Sequence, residues 1–312
     1  MGAIPTELLL SPVALALLGL CVGSFLNVVI HRLPLMLERQ WWSEVANQLG
    51  DAESWRRVIG LSADAEVPGI HQERAEAISS AVKGLGPLSV VRPRSRCPAC
   101  GHVITCYENL PVVSWLVLRA RCSACKAPIS ARYPLVELAT ALVFGAVAWR
   151  HGAQPLALLW CAFAATLLAL ALIDWDTTLL PDALTLPLLW GGLVAAALGW
   201  TIPLPAALWG AVAGYLSLWL VYQLFKLATG KEGMGHGDFK LLAALGAWLG
   251  WPMLVPIILA ASALGAAVGI AMKLGGTLRE GRYVPFGPFL AGAGVAVMLI
   301  GAERVLHWLG WA

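Results

Sequence analysis

Eight apolar runs dominate this chain, at roughly 8–30, 134–150, 154–173, 184–200, 204–226, 239–251, 252–274 and 284–309. Most approach the ~20 residues that an α-helix needs to cross a bilayer. Inside lipid every backbone N–H and C=O must find a partner within the protein, and a helix achieves this within one segment. The 312 residues are 59% hydrophobic and 12% charged, with a mean hydropathy of +0.75, which excludes an ordinary soluble globule. Fifteen Trp residues suit the same class, because Trp concentrates at membrane–water interfaces. The pattern predicts an all-α polytopic membrane protein with about eight transmembrane helices. The 239–251 run is short, and only Gly250 to Pro252 separates it from the next, so half of a broken helix is the alternative. The first run has no Lys or Arg before it and no small-residue cleavage pattern after it. It reads as a retained helix and not as a signal peptide.

Charge sets the orientation. Thirteen of the 21 Lys and Arg residues lie between His31 and Tyr133, and basic loops favour the cytoplasmic side. Residues 31–133 are therefore expected inside. Alternating the spans places Arg150-His151-Gly152 and Trp200 to Pro205 outside. Asp174 to Asp182, Lys226 to Lys240, and the loop carrying Lys273, Arg279 and Arg282 then fall inside. Three parts follow: a first transmembrane helix in 1–30, a cytoplasmic insert in 31–133, and a transmembrane core in 134–312.

Within the insert, Cys97-Pro-Ala-Cys100 is followed after 21 residues by Cys122-Ser-Ala-Cys125. Two Cys-x-x-Cys pairs at this distance match a tetrahedral four-cysteine zinc ribbon over 97–125. Gly101 and Ala127-Pro128 supply turns after each pair, and the loop between them can form a short hairpin. Disulfides are the plain alternative, but they are disfavoured in a reducing compartment. Four thiolates leave no open coordination position, so the expected zinc is structural. His102 beside the first pair is a potential substitute ligand that the four cysteines make unnecessary. Cys21 and Cys161 sit in apolar runs as small buried residues, and Cys106 is a spare thiol. The stretch Glu38–Val58 reads as an amphipathic helix, lying on the membrane surface or packed against the insert.

Acids at membrane depth are costly, which makes them candidates for function. Asp174 ends an apolar run in Ile173-Asp174-Trp175-Asp176, and Asp182 follows in Leu180-Pro181-Asp182. Asp182 reads as an N-cap and Asp176 as solvated or supporting, which leaves Asp174 the acid expected to be partly desolvated. Asp238 closes Gly233-Met-Gly235-His-Gly237-Asp238 and precedes another apolar run. A helix cap is its bland reading. Three alternate glycines point the other way, since they admit positive φ and close approach of a peptide backbone. Their spacing matches neither a phosphate-binding loop nor a dinucleotide fingerprint. Two carboxyls sharing a site tend to share one proton, so that one can activate water while the other polarises a carbonyl. Lys240 either modulates this pair or snorkels to the interface. Glu137, just inside its apolar run, either pairs with a basic residue or lines a groove.

Taken together these segments resemble the bacterial type IV prepilin leader peptidase/N-methyltransferase family. The resemblance rests on Gly23-Ser-Phe-Leu-Asn27-Val-Val-Ile-His31-Arg-Leu-Pro34, the two Cys-x-x-Cys pairs and Arg132-Tyr-Pro-Leu-Val-Glu137. It extends through Ile173-Asp174 to Leu180-Pro181-Asp182, Gly233-Met-Gly235-His-Gly237-Asp238-Phe-Lys240 and Pro285-Phe-Gly287-Pro288. It implies a Gly-x-Gly-Asp aspartic peptidase with Asp174 and Asp238 as catalytic acids. Such enzymes cut the basic leader from type IV prepilins and type II secretion pseudopilins at the cytoplasmic face of the inner membrane. Members with the zinc-binding insert then methylate the new N-terminus using S-adenosylmethionine, so both activities are expected here. The implied partners are those substrates and membrane lipid, with no nucleic acid.

Two other classes compete. An ion-coupled transporter would place its acids near the bilayer midplane within internal repeats, whereas these acids cluster at one face and no repeat is evident. A zinc-ribbon assembly factor that binds pilins without cutting them would not need paired acids.

Overall fold

The computed structural model describes residues 6–60, 62, 69–276 and 284–311. Among these the regular elements are helical, and strand pairing is limited to two isolated bridges, Arg96 with Val103 and Arg121 with Pro128. After a single turn, α1 (Thr6–Leu9), comes α2 (Pro12–Gly50), an unbroken helix of 39 residues. Ser11 caps it by accepting the Ala14 N–H, and Pro12 opens it, where a missing N–H costs nothing. At 1.5 Å per residue α2 is about 58 Å long, nearly twice the ~30 Å hydrocarbon core. The first apolar run thus continues through Pro34 as a rod that leaves the membrane and enters the insert.

The amphipathic stretch 38–58 becomes the second half of α2 plus α3 (Ala52–Ile59), joined at Asp51, which accepts the Glu53 N–H. α4 (Gly69–Gly84) packs against α2, and Trp55 of α3 stacks on His71 at 4.3 Å between ring centroids, while Trp41, Trp42, Val45 and Val58 stay exposed. The rest of the insert is the cysteine module, a 3₁₀ turn at Tyr107–Asn109 and α5 (Val113–Val117). The hairpin expected between the cysteine pairs is replaced by these turns, because Pro111 cannot donate to a ladder.

The bundle follows as α6 (Arg132–His151), α7 (Pro155–Thr177), α8 (Asp182–Ala197), α9 (Leu204–Thr229), α10 (His236–Leu249), α11 (Leu254–Leu274), α12 (Gly287–Ile300) and α13 (Ala302–Trp308). By length and apolarity four helices can cross a membrane: Pro12–Gly50, Pro155–Thr177, Leu204–Thr229 and Trp251–Leu274. A fifth arises if α12 and α13, bent by 99° at Gly301, count as one span. The expected eight are therefore not confirmed. The 239–251 run and the 184–200 run form helices of 14 and 16 residues, shorter than a bilayer requires. Arg279 and Arg282 lie outside the described residues.

The short helix α10 explains the rest of the bundle. Eleven of its 14 residues are buried, because α8, α9 and α12 surround it. Lipid never has to solvate it. Its close neighbours demand glycine: a Cβ at Gly246 would collide with the Gly210 backbone of α9, and one at Gly214 would lie 2.7 Å from the Leu242 carbonyl oxygen. Elsewhere, Gly19 and Gly23 of α2 give a small-xxx-small contact with α6, where added Cβ atoms would come within 2.7 Å of Ala141 Cα and 2.6 Å of Glu137 Cα. Trp248 donates its indole N–H to the Leu188 carbonyl at 2.7 Å, joining α10 to α8. Gly246→Leu is expected to separate α9 from α10 and destabilise the bundle by about 3 kcal/mol. Thermal unfolding of the purified variant in detergent checks this; an unchanged transition would contradict the packing.

Candidate active site

Asp174 lies in the last turn of α7 and is only 5% exposed. The helix ends because Thr178 adopts a left-handed conformation (φ 55°), its N–H still bonded to the Asp174 carbonyl. The chain then runs through Leu179, Leu180 and Pro181 into α8. The carboxylate of Asp174 accepts the Gly287 N–H at 3.0 Å, and Gly287 is the first residue of α12. A Cβ at Gly287 would come within 2.5 Å of that carboxylate oxygen. Glycine here is a condition of the contact, and the free N–H groups of a helix start suit an anion. Sequence reading missed this role for Gly287. The signal available was Gly287-Pro288, a pair suited to opening a helix.

Asp238 is 8% exposed and occupies the third position of α10, whose N-cap is Gly235. It is not a cap, and its side chain makes no capping bond. Its Oδ1 is buried without a hydrogen-bond partner among the described residues. Gly237 before it and Gly287, which donates to Asp174, both abut Leu180, so the two predicted acids lie at the same end of the bundle. None of Gly233, Gly235 and Gly237 adopts a positive φ, and Gly233 and Gly237 serve close packing. A Cβ at Gly237 would sit 2.7 Å from Leu180 Cβ, and one at Gly233 would press on the Phe225 ring. Gly237 thereby lets the start of α10 close on the segment that follows Asp174.

The remaining acids are accounted for by cations. Asp176 takes a bidentate pair from Arg132 at 2.9 and 2.6 Å, and Asp182 pairs with Lys240 at 2.6 Å. Asp182 is itself the first residue of α8 and caps nothing. Lys240 ties α10 to α8 through its pair with Asp182. Among the described residues no cation pairs with Asp174 or Asp238. Beside the Arg132–Asp176 pair, a hollow of about 230 Å³ is lined by the apolar Ile30, Pro34 and Leu35 together with Asn27, His31, Glu38, Tyr133 and Thr177. Asn27 also donates to the Tyr133 carbonyl at 3.1 Å, which fixes α2 against the start of α6.

The four cysteine sulfurs Cys97, Cys100, Cys122 and Cys125 lie within 4.8 Å of one another, with Cys97 and Cys125 3.8 Å apart. A tetrahedron with ~2.3 Å metal–sulfur bonds has edges of about 3.8 Å, so the cluster fits structural zinc. The N–H groups of Ala99 and Cys100 aim at Cys97 and lower its thiol to about 7. The His102 N–H likewise favours a thiolate at Cys100, but Cys125, burial and the other thiols push that group up to about 11. Four neighbouring thiols cannot all ionise without a cation among them. His102 is not needed as a ligand, since its Nε2 lies 3.2 Å from Glu108. Glu108 is held low, at about 2, by Ser123, by the Thr105 N–H and hydroxyl, and by His102.

Glu137 joins this module to the bundle. It is 7% exposed and accepts the Val112 N–H at 2.7 Å. Val112 is the centre of a tight three-residue turn at φ 59°, a strained conformation for a branched residue. Glu137 therefore pairs with backbone and not with a basic side chain.

Two family models match the chain. The Bacterial Peptidase A24 N-terminal domain matches residues 17–151, and the Type IV leader peptidase family matches residues 161–270. Among curated relatives, a prepilin leader peptidase/N-methyltransferase of Pseudomonas putida is 51% identical over 92% of this chain and 89% of its own length. Proteins of the same name from Stutzerimonas stutzeri and Aeromonas hydrophila are each 48% identical. They cover 99% and 94% of this chain, and 99% and 91% of their own lengths. No solved structure matches.

Purified protein is expected to carry about one zinc per chain, and the double change Cys97→Ser, Cys100→Ser to lose it, since a closed four-thiolate site fails with two ligands gone. Elemental analysis decides; a metal-free wild type would contradict the assignment.

Proposed function

This chain belongs to the type IV leader peptidase family, and we propose that it cleaves prepilin and pseudopilin leaders using Asp174 and Asp238. One observation carries the reading: two buried carboxyls lie at one end of the bundle with no cation paired to either among the described residues, while the neighbouring Asp176 and Asp182 are paired with Arg132 and Lys240. Like charges held close cannot both ionise readily, so the pair shares a proton. The ionised carboxyl takes a proton from water as the oxygen attacks the scissile carbonyl. The protonated carboxyl donates to the carbonyl oxygen, and the tetrahedral intermediate then breaks at the C–N bond as the amine leaves protonated. Gly287 fixes one oxygen of Asp174, and Asp238 Oδ1 is left without a protein partner, available to water or substrate. Residues 134–312 are read as the peptidase core and 31–133 as an insert carrying structural zinc. The site and the insert would face the cytoplasm from the inner membrane, as the basic 31–133 block favours.

The same chain is proposed to methylate the newly exposed N-terminal amine, as the names of its relatives suggest. S-adenosylmethionine would supply an electrophilic methyl on a sulfonium cation. The hollow beside Arg132 and Asp176 has chemistry that suits it. Glu38 gives it negative charge beside the Arg132–Asp176 pair, and the Tyr133 ring offers a face to a cation or a purine. Tyr133→Ala is expected to weaken S-adenosylhomocysteine binding about tenfold by calorimetry, and unchanged binding would exclude this hollow.

Asp174→Asn or Asp238→Asn is expected to reduce leader removal from a purified prepilin at least about 100-fold, with the protein still folded and zinc-loaded. Product mass reads the cut. Wild-type rates in either variant would overturn the assignment, and a wild type that never cuts would return the transporter and the non-cutting assembly factor.

A further inference from the structure

An apolar groove of about 250 Å³ runs between α6, α7 and α12. On α7 it is lined by Ala164, Leu167, Leu168 and Ala171, spaced i, i+3, i+4 and i+7 along one helical face. The next position on that face is Asp174. From Ala164 to Asp174 is about 15 Å of helix. On α12 the lining residues are Pro288, Gly292 and Val295, which again share a face and begin beside Gly287, the donor to Asp174. Thr140 closes the α6 side, and because its hydroxyl is turned back to the Val136 carbonyl at 2.7 Å it adds no free polar group. The groove is thus an apolar channel whose lining on α7 ends at Ala171, one helical turn before Asp174, and on α12 begins at Pro288, next to Gly287.

Gly292 is the informative residue. It is exposed, and a Cβ there would meet nothing within 4 Å among the described residues. Most other glycines of the bundle helices are present because a neighbour presses on them, whereas this one faces open space. Small residues along such a wall let a second helix come close, which is how helices pack where lipid offers no hydrophobic drive.

We propose that this groove seats the apolar helix that follows the cut in the substrate, laid along α7 with the scissile bond at Asp174 and Asp238. The inference rests on the peptidase reading of those acids. A lipid chain could fill the groove too, but it offers nothing to a carboxyl pair with an unpartnered buried oxygen, whereas a peptide backbone does. A helix held parallel to α7 also explains why the acids sit at the helix end: they meet the chain where it emerges from the apolar layer.

Two measurements on the full-length protein in lipid nanodiscs test this. Gly292→Phe fills the groove and is expected to raise KM for a full-length prepilin about tenfold, with a smaller change in kcat. Leu142→Phe, on the outward face of α6 and 73% exposed, is expected to match wild type. An unchanged KM, or a loss confined to kcat, overturns the groove and leaves the peptidase reading intact. In an Asp174→Asn background, benzoylphenylalanine at Gly292 should photo-crosslink to the apolar helix of the prepilin, and the same probe at Leu142 should not. Adducts to lipid alone, or equal adducts at both positions, overturn the proposal. If Gly292→Phe does not accumulate, the probe at Val295 carries the same decision. A wild type that fails to cut would refute the peptidase reading, while the crosslink still decides whether the groove holds the helix.

Discussion

A carboxylate cannot sit in an apolar bundle without donors or a reason to share a proton, and the bond from Gly287 to Asp174 answers that demand. It joins the end of α7 to the start of α12, elements 113 residues apart in the chain. Only glycine allows the approach, because any side chain would strike the carboxylate. The placement of α12 beside α7 then creates the apolar groove, and the placement of α10 beneath both brings Asp238 to the same spot. One hydrogen bond therefore couples the acid, the helix that flanks it and the surface on which a substrate helix would lie.

The second dependency is the buried helix α10. It is too short to cross a bilayer, and it need not, since its neighbours satisfy and cover it. Burial of this kind is bought with glycine at Gly210, Gly214 and Gly246, where backbones touch. The Lys240–Asp182 and Arg132–Asp176 pairs at the mouth are partly exposed, and such pairs contribute little to stability, typically ~0–1 kcal/mol each. Their effect is electrostatic bookkeeping at the site: they remove two of four nearby acids from competition and leave the other pair without a cation.

Much of the site was legible in the chain. Asp174 and Asp238 stood out because charge beside apolar runs is rare, and the four cysteines because their spacing fits one ion. Less legible were the roles of the glycines. Gly237 looked like a provider of unusual φ, yet it is there so that α10 can touch Leu180. Asp182 and Asp238 both looked like caps, and neither is. The span count is not confirmed, because an apolar run shielded by protein and one facing lipid have the same composition.

By itself the sequence determined the class of the molecule, a helical membrane protein with a four-cysteine module, since hydropathy and ligand spacing are local properties of the chain. It also singled out the two acids by their setting. Tertiary structure alone decided that both lie at one end of the bundle beside Leu180, that Gly287 and not a cation holds Asp174, and that Glu137 anchors the cysteine module through the Val112 backbone. It also decided that an apolar groove lies between α6, α7 and α12, one turn of α7 from Asp174. Each of these is a contact between helices far apart in sequence, decided by which backbones can approach closely, and no local pattern records that.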